Sequence, residues 1–137
     1  MGRLLGFDVG ARRTGVASTD DLNIVTTPLA TVPTADAKEA IQGWLREFSC
    51  DGFVVGVPML IGGGSTDSHP HISAFIAMLS KHFPSIPIHQ VDEGNTSYEA
   101  SAIQRMGGMK KSKRREKGSL DPIAASIILR RHLDQRM

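Results

Sequence analysis

The run Gly52-Phe53-Val54-Val55-Gly56-Val57 limits the fold more than any other stretch of the chain. It is short, continuously apolar and closed by Pro58, so it reads as a strand buried on both faces. Such a strand needs helices above and below its sheet. The flanking sequence supplies them. Upstream, Ile41, Trp44, Leu45 and Phe48 recur at helical spacing behind Asp36 and Glu39, a capping-box pair, and predict a helix over 36–48. Downstream, Ile72, Phe75, Ile76, Leu79 and Phe83 predict a second helix over about 67–82. Pro84 and Pro87 then bracket the turn into a strand over Ile88-His89-Gln90-Val91. Thr96 with Glu99 opens a helix through about Met106, which Gly107-Gly108 stops. Asp121-Pro122 opens a last helix carrying Ile123, Ala124, Ile127, Ile128 and Leu133.

Before these alternating elements come three extended segments. Residues 3–9 and 14–19 form a hairpin about Gly10-Ala11-Arg12-Arg13, and 22–27 adds a third antiparallel strand after Asp20-Asp21. Pro28 and Pro33 mark a loop. Antiparallel strands followed by strands alternating with helices give an α/β chain: a mixed five-stranded sheet flanked by helices. At 137 residues the chain reads as a single domain over 1–137, with a polar, mobile basic loop at about 107–118.

One residue breaks the apolar logic. Asp8 sits inside Leu4-Leu5-Gly6-Phe7-Asp8-Val9, where a charge is costly unless it is paired or binds a metal. Two further acidic points fall at element ends: Asp92-Glu93 after the fifth strand and Asp121 at the last helix. Sites in open α/β sheets gather at the carboxyl ends of parallel strands. There the first and fifth strands could place their acids side by side, with Asp121 alongside. Clustered carboxylates need a cation to stay ionised together, and Mg²⁺ or Mn²⁺ takes oxygen ligands. Paired ions of this kind activate water and stabilise the leaving oxygen in phosphodiester cleavage. Simpler roles also fit some of these residues: Asp121 as an N-cap, Asp92 as a turn residue, Glu93 as a solvated acid.

Charge distribution points the same way. Lys110, Lys111, Lys113, Arg114, Arg115 and Lys117 hold six of the 16 Lys and Arg residues, just before Asp121. A basic run is by default a solvated loop; beside an acidic metal site it suits the phosphates of a nucleic acid. Arg12 and Arg13, in the turn after Asp8, could add to that face. His69 and His71, flanking Pro70, read as surface residues, and Gly62-Gly63-Gly64 lacks the Lys and Ser/Thr of a P-loop. Cys50 is the only cysteine, which excludes an intramolecular disulfide and a Cys-based zinc site. With no leader pattern and no apolar run near membrane-span length, the expectation is a cytoplasmic protein without a membrane partner.

The motifs in order are Phe7-Asp8-Val9-Gly10 with Thr14-Gly15-Val16-Ala17, Val55-Gly56-Val57-Pro58, Val91-Asp92-Glu93, and Asp121-Pro122-Ile123-Ala124-Ala125. Together they resemble the YqgF (RuvX) family, small Holliday-junction-resolvase-like proteins of the ribonuclease H-like superfamily. The resemblance covers nearly the full chain. It implies a ribonuclease H-like fold and a divalent-metal nuclease using Mg²⁺ or Mn²⁺. It also implies catalytic acids Asp8, Glu93 and Asp121, with Asp92 as a further metal ligand. The family is described as candidate nucleases for the 5′ end of pre-16S rRNA, and some members are credited with junction resolution. The expected partner is thus nucleic acid, pre-rRNA ahead of a DNA junction, met by a monomer or homodimer. A Holliday junction resolvase on DNA and a non-catalytic nucleic-acid-binding module are the alternatives. One departure stands out: the family's Arg after Asp-Glu is Gly94 here, followed by Asn95, so a cation beside the acids is lost.

Overall fold

The computed structural model describes residues 2–57, 70–92 and 121–135, with only the backbone of Asp92, Asp121 and Gln135. In chain order it contains β1 (Arg3–Val9), β2 (Arg13–Thr19), β3 (Thr26–Pro33), α1 (Ala37–Glu47), β4 (Cys50–Val57), α2 (Pro70–His82), β5 (Ile88–Asp92) and α3 (Asp121–Gln135). The five strands make one sheet in the order β3-β2-β1-β4-β5. β1 pairs antiparallel with β2, and β2 with β3; β1–β4 and β4–β5 are parallel. The mixed five-stranded sheet expected from the sequence is therefore the one observed. The helix expected from Thr96 to Met106 and the basic loop at 107–118 lie outside the described residues.

Side-chain alternation along the strands separates two cores. Leu5, Phe7 and Val9 of β1 join Phe53, Val55 and Val57 of β4 against Ile41 of α1 and Ile72, Phe75 and Leu79 of α2. Aromatic rings organise this layer: Phe7 lies 5.7 Å from Phe53 at 62° and 5.1 Å from Phe75 at 56°. These tilted, edge-on arrangements suit the ring quadrupole. On the other face, Leu4, Ala17, Val54 and Val91 pack beneath Ala125, Ile128, Leu129 and Leu133 of α3. Gly6 explains how closely α3 approaches. A Cβ there would run into the Leu129 side chain and lie 3.1 Å from the Ala125 carbonyl oxygen.

Two local expectations need correction. The third strand runs over Thr26–Pro33 rather than 22–27, and both prolines lie inside it. β3 is an edge strand, where one row of backbone groups needs no partner, so proline is tolerated. A register shift between Val16 and Ala17 of β2, beside Pro28, absorbs the irregularity. Residues 20–25 instead form the turn. The Asp20 carboxylate accepts the N–H groups of Ile24 at 2.8 Å and Val25 at 3.2 Å, which holds its pKa below the ordinary 3.8. Asn23 adopts φ 58°, a left-handed conformation Asn tolerates. The second correction is the capping box of α1: Asp36 makes no side-chain cap bond. A 3-10 turn over Thr34–Asp36 leads into the helix, and the Ala37 N–H donates to the Thr34 carbonyl instead.

Candidate active site

β1 is the central strand, and it carries Asp8 to the carboxyl edge of the sheet. Asp8 shares the parity of Leu4 and Gly6, so it lies on the face that α3 covers, and it is half-buried. Its immediate neighbours Phe7 and Val9 point the opposite way into the α1–α2 core. Across the antiparallel ladder its partner is Gly15. On the parallel side Phe7 pairs with Val55, so one step further Asp8 meets Gly56. The residues directly opposite Asp8 on both adjacent strands are thus glycines.

The turn that follows is fixed by hydrogen bonds. The Gly10 N–H donates to the Arg13 carbonyl at 2.9 Å, and the Thr34 N–H donates to the Arg12 carbonyl at 2.9 Å. The Thr34 hydroxyl donates to the Gly10 carbonyl at 2.7 Å. That uses its single proton, so in the 2.9 Å contact with Thr14 the fully buried Thr14 hydroxyl is the donor. A Cβ at position 10 would come 2.6 Å from the Arg13 carbonyl oxygen, so this turn requires glycine. Arg12 is exposed at its tip and Arg13 is half-buried at the start of β2.

The remaining expected residues divide as follows. Asp92 ends β5, its backbone level with Val57 of β4. The first and fifth strands are not neighbours, because β4 lies between them. Their ends share one edge but stand two strand spacings apart, roughly 10 Å. Asp121 is the first residue of α3, one turn before the Ala125 carbonyl that overlies Gly6. Glu93, Lys110, Lys111, Lys113, Arg114, Arg115 and Lys117 lie outside the described residues. Among the described residues no three His, Cys, Asp or Glu side chains form a metal-binding group, and Asp8 is the one expected acid whose side chain is described. The donor set itself, carboxylates alone, is the chemistry of a hard cation such as Mg²⁺ or Mn²⁺. Sequence reasoning missed the two glycines beside Asp8 and the Thr14–Thr34 pin. Gly15 and Gly56 signal a site only once the strand register is known, and Thr34 acts across 24 residues of chain.

His71 also differs from expectation. It lies in the first turn of α2, is half-buried, and lines a groove rather than standing free on the surface.

Known proteins match this arrangement along its whole length. The family described as RuvX, Holliday junction resolvase, matches residues 2–135. A protein of Parabacteroides distasonis named as a candidate pre-16S rRNA nuclease is 35% identical, over 99% of this chain and 97% of its own. One of Amoebophilus asiaticus with the same name is 40% identical, over 97% of this chain and 94% of its own. In three dimensions the fold is similar to T. thermophilus RuvC in complex with a Holliday junction substrate. The TM-score is 0.57 at 13% identity, covering 98% of this chain and 96% of that one. The architecture is thus ribonuclease H-like.

Proposed function

The chain belongs to the RuvX family, and from that premise we propose that it is a divalent-metal-dependent nuclease that hydrolyses phosphodiester bonds in 5′-end maturation of pre-16S rRNA. The observation that carries this reading is Asp8: a half-buried carboxylate closing the central strand, flanked on its face by glycine backbone, beneath the helix that Asp121 opens. Asp8, Glu93 and Asp121, with Asp92, would hold Mg²⁺ or Mn²⁺. Such an ion supplies Lewis-acid stabilisation of the phosphodiester and an activated water. Arg12 and Arg13, with Lys110, Lys111, Lys113, Arg114, Arg115 and Lys117, would hold the strand by its phosphates and make binding salt-dependent. Relatives named as pre-16S rRNA nucleases support the RNA substrate.

The family description favours a second reading, resolution of a DNA four-way junction, which needs paired symmetric cuts and hence a dimer. The test is cleavage of labelled pre-16S leader RNA and of a DNA junction with Mn²⁺, Mg²⁺ or EDTA, by wild type and Asp8→Asn. The expected outcome is metal-dependent RNA cleavage that Asp8→Asn lowers by about 10²-fold or more while the protein stays folded. Undiminished cleavage by a well-folded Asp8→Asn protein would sink the assignment. Cleavage of the junction alone would move the function to DNA. Binding of either nucleic acid without turnover would make the chain a binding module.

A further inference from the structure

Successive residues of β2 alternate between the two cores: Val16 enters the α1–α2 core and Ala17 lies beneath α3. Arg13 and Gly15 share the parity of Ala17, so Arg13 stands on the same face of the sheet as Asp8. Across the ladder Asp8 is opposite Gly15, and where the hairpin turns the Gly10 N–H donates to the Arg13 carbonyl at 2.9 Å. These four residues form a quadrilateral. Asp8 and Arg13 occupy one pair of diagonal corners, and glycines occupy the other pair. Diagonal neighbours in an antiparallel ladder lie roughly 7–8 Å apart at Cα, a span that a long side chain bridges. Neither glycine places a side chain between the carboxylate and the arginine.

Arg13 is also held in place, and Arg12 is not. Arg13 is half-buried and its Nε is buried, so the stem of the side chain lies against the protein. Its backbone is fixed relative to Asp8 by the Gly10–Arg13 bond and by Thr34, which bonds both Gly10 and Arg12. Arg12 is exposed at the tip of the turn, outside both strands. A guanidinium on a packed stem has less rotamer freedom to lose on contact than one in solvent.

We infer that Arg13 is a catalytic residue: its guanidinium contacts the non-bridging oxygens of the phosphate that reaches Asp8, whereas Arg12 holds the strand through a neighbouring phosphate. The inference rests on the nuclease reading and deepens it by giving the two arginines different tasks. In the hydrolysis the oxygen of water bonds to phosphorus, the bond from phosphorus to the leaving oxygen breaks, and that oxygen takes a proton. Arg13 stays protonated throughout and transfers no proton. Its paired N–H groups stabilise the charge on the phosphate oxygens, and a pre-positioned donor does so more strongly in the transition state than in the ground state. Removing it therefore lowers kcat, while removing Arg12 raises KM.

The test is steady-state cleavage of whichever substrate the wild type cuts, the leader RNA or the DNA junction, with Mn²⁺ and the full chain. Equilibrium binding of the same substrate in EDTA and thermal melts accompany it. Arg13→Gln should lower kcat by about 10²-fold, with KM and the binding constant changed less than about threefold. Arg13→Lys keeps the charge without the fork and should recover about tenfold of that loss. Arg12→Gln should raise KM about threefold and lower kcat less than about twofold. A folded Arg13→Gln protein with wild-type kcat overturns the inference and leaves the nuclease reading standing. So does a rise in KM alone, matching Arg12→Gln, because that marks general phosphate contact. Arg13→Lys no better than a folded Arg13→Gln also overturns it, since packing rather than charge would then be what was lost. If Arg13→Gln does not fold, Arg13→Lys decides: about tenfold lower kcat at an unchanged melting temperature supports the assignment, and unchanged kcat overturns it. A wild-type chain that cuts neither substrate overturns this assignment and the nuclease reading together.

Discussion

At the scale of single residues, the surroundings decide what a side chain can do. Cys50 shows this away from the site. Its thiol donates to the Gly52 carbonyl at 3.2 Å, and burial pushes its pKa from 9.0 up to about 11. The raised value favours the neutral thiol in the folded state. The associated stability is therefore present below pH 9 and is lost as pH rises towards about 11. Iodoacetamide at pH 8 should accordingly alkylate Cys50 roughly a hundredfold more slowly than free cysteine, and urea should abolish the difference. Mass spectrometry at timed intervals checks this. Asp8 was legible for the complementary reason: a charge within an apolar run contradicts its context, and the contradiction is visible in the sequence alone. Gly15 and Gly56 were not legible as companions of Asp8. Glycine in a strand has many causes, and only register shows which residue it stands beside.

At the scale of elements, helices were easier to read than edges. Ile41, Trp44, Leu45 and Phe48 repeat with a period set by the helix itself, so α1 emerged within one residue of its observed bounds. The β3 strand did not, because Pro28 and Pro33 look like breaks until the strand is known to lie at an edge. The placing of β4 between β1 and β5 was likewise invisible, since strand order is a property of contacts between distant segments. The α3–β1 contact offers a sharp test at this scale. Gly6→Val should push α3 off the sheet, because the Ala125 carbonyl belongs to helix backbone and cannot turn aside. We expect a loss of about 1–3 kcal/mol in urea unfolding, the range for overpacking a core. Cleavage should fall more than stability, since the displaced helix begins with Asp121. Urea titration beside the RNA cleavage assay separates the two effects.

At the scale of the whole molecule, one sheet divides two cores and serves them differently. The α1–α2 side holds the aromatic cluster of Phe7, Phe53, Phe75 and Phe83. Phe7 is central to it, and Phe7→Ala should cost about 3–5 kcal/mol, measurable as a shifted urea midpoint with an unchanged slope. The other side depends on a helix from the far end of the chain. Ser126 donates to the Thr26 hydroxyl at 2.8 Å across 100 residues, and Leu129 closes over Gly6. A ribosome makes these partners far apart in time. While residues 121–135 are still being synthesised, Leu4, Ala17, Val54 and Val91 have no cover, and the nascent sheet is a natural client for a chaperone that shields apolar surface. The order of translation thus leaves the Asp8 face of the sheet uncovered until α3 has been made, whereas the aromatic core on the other face can close before it.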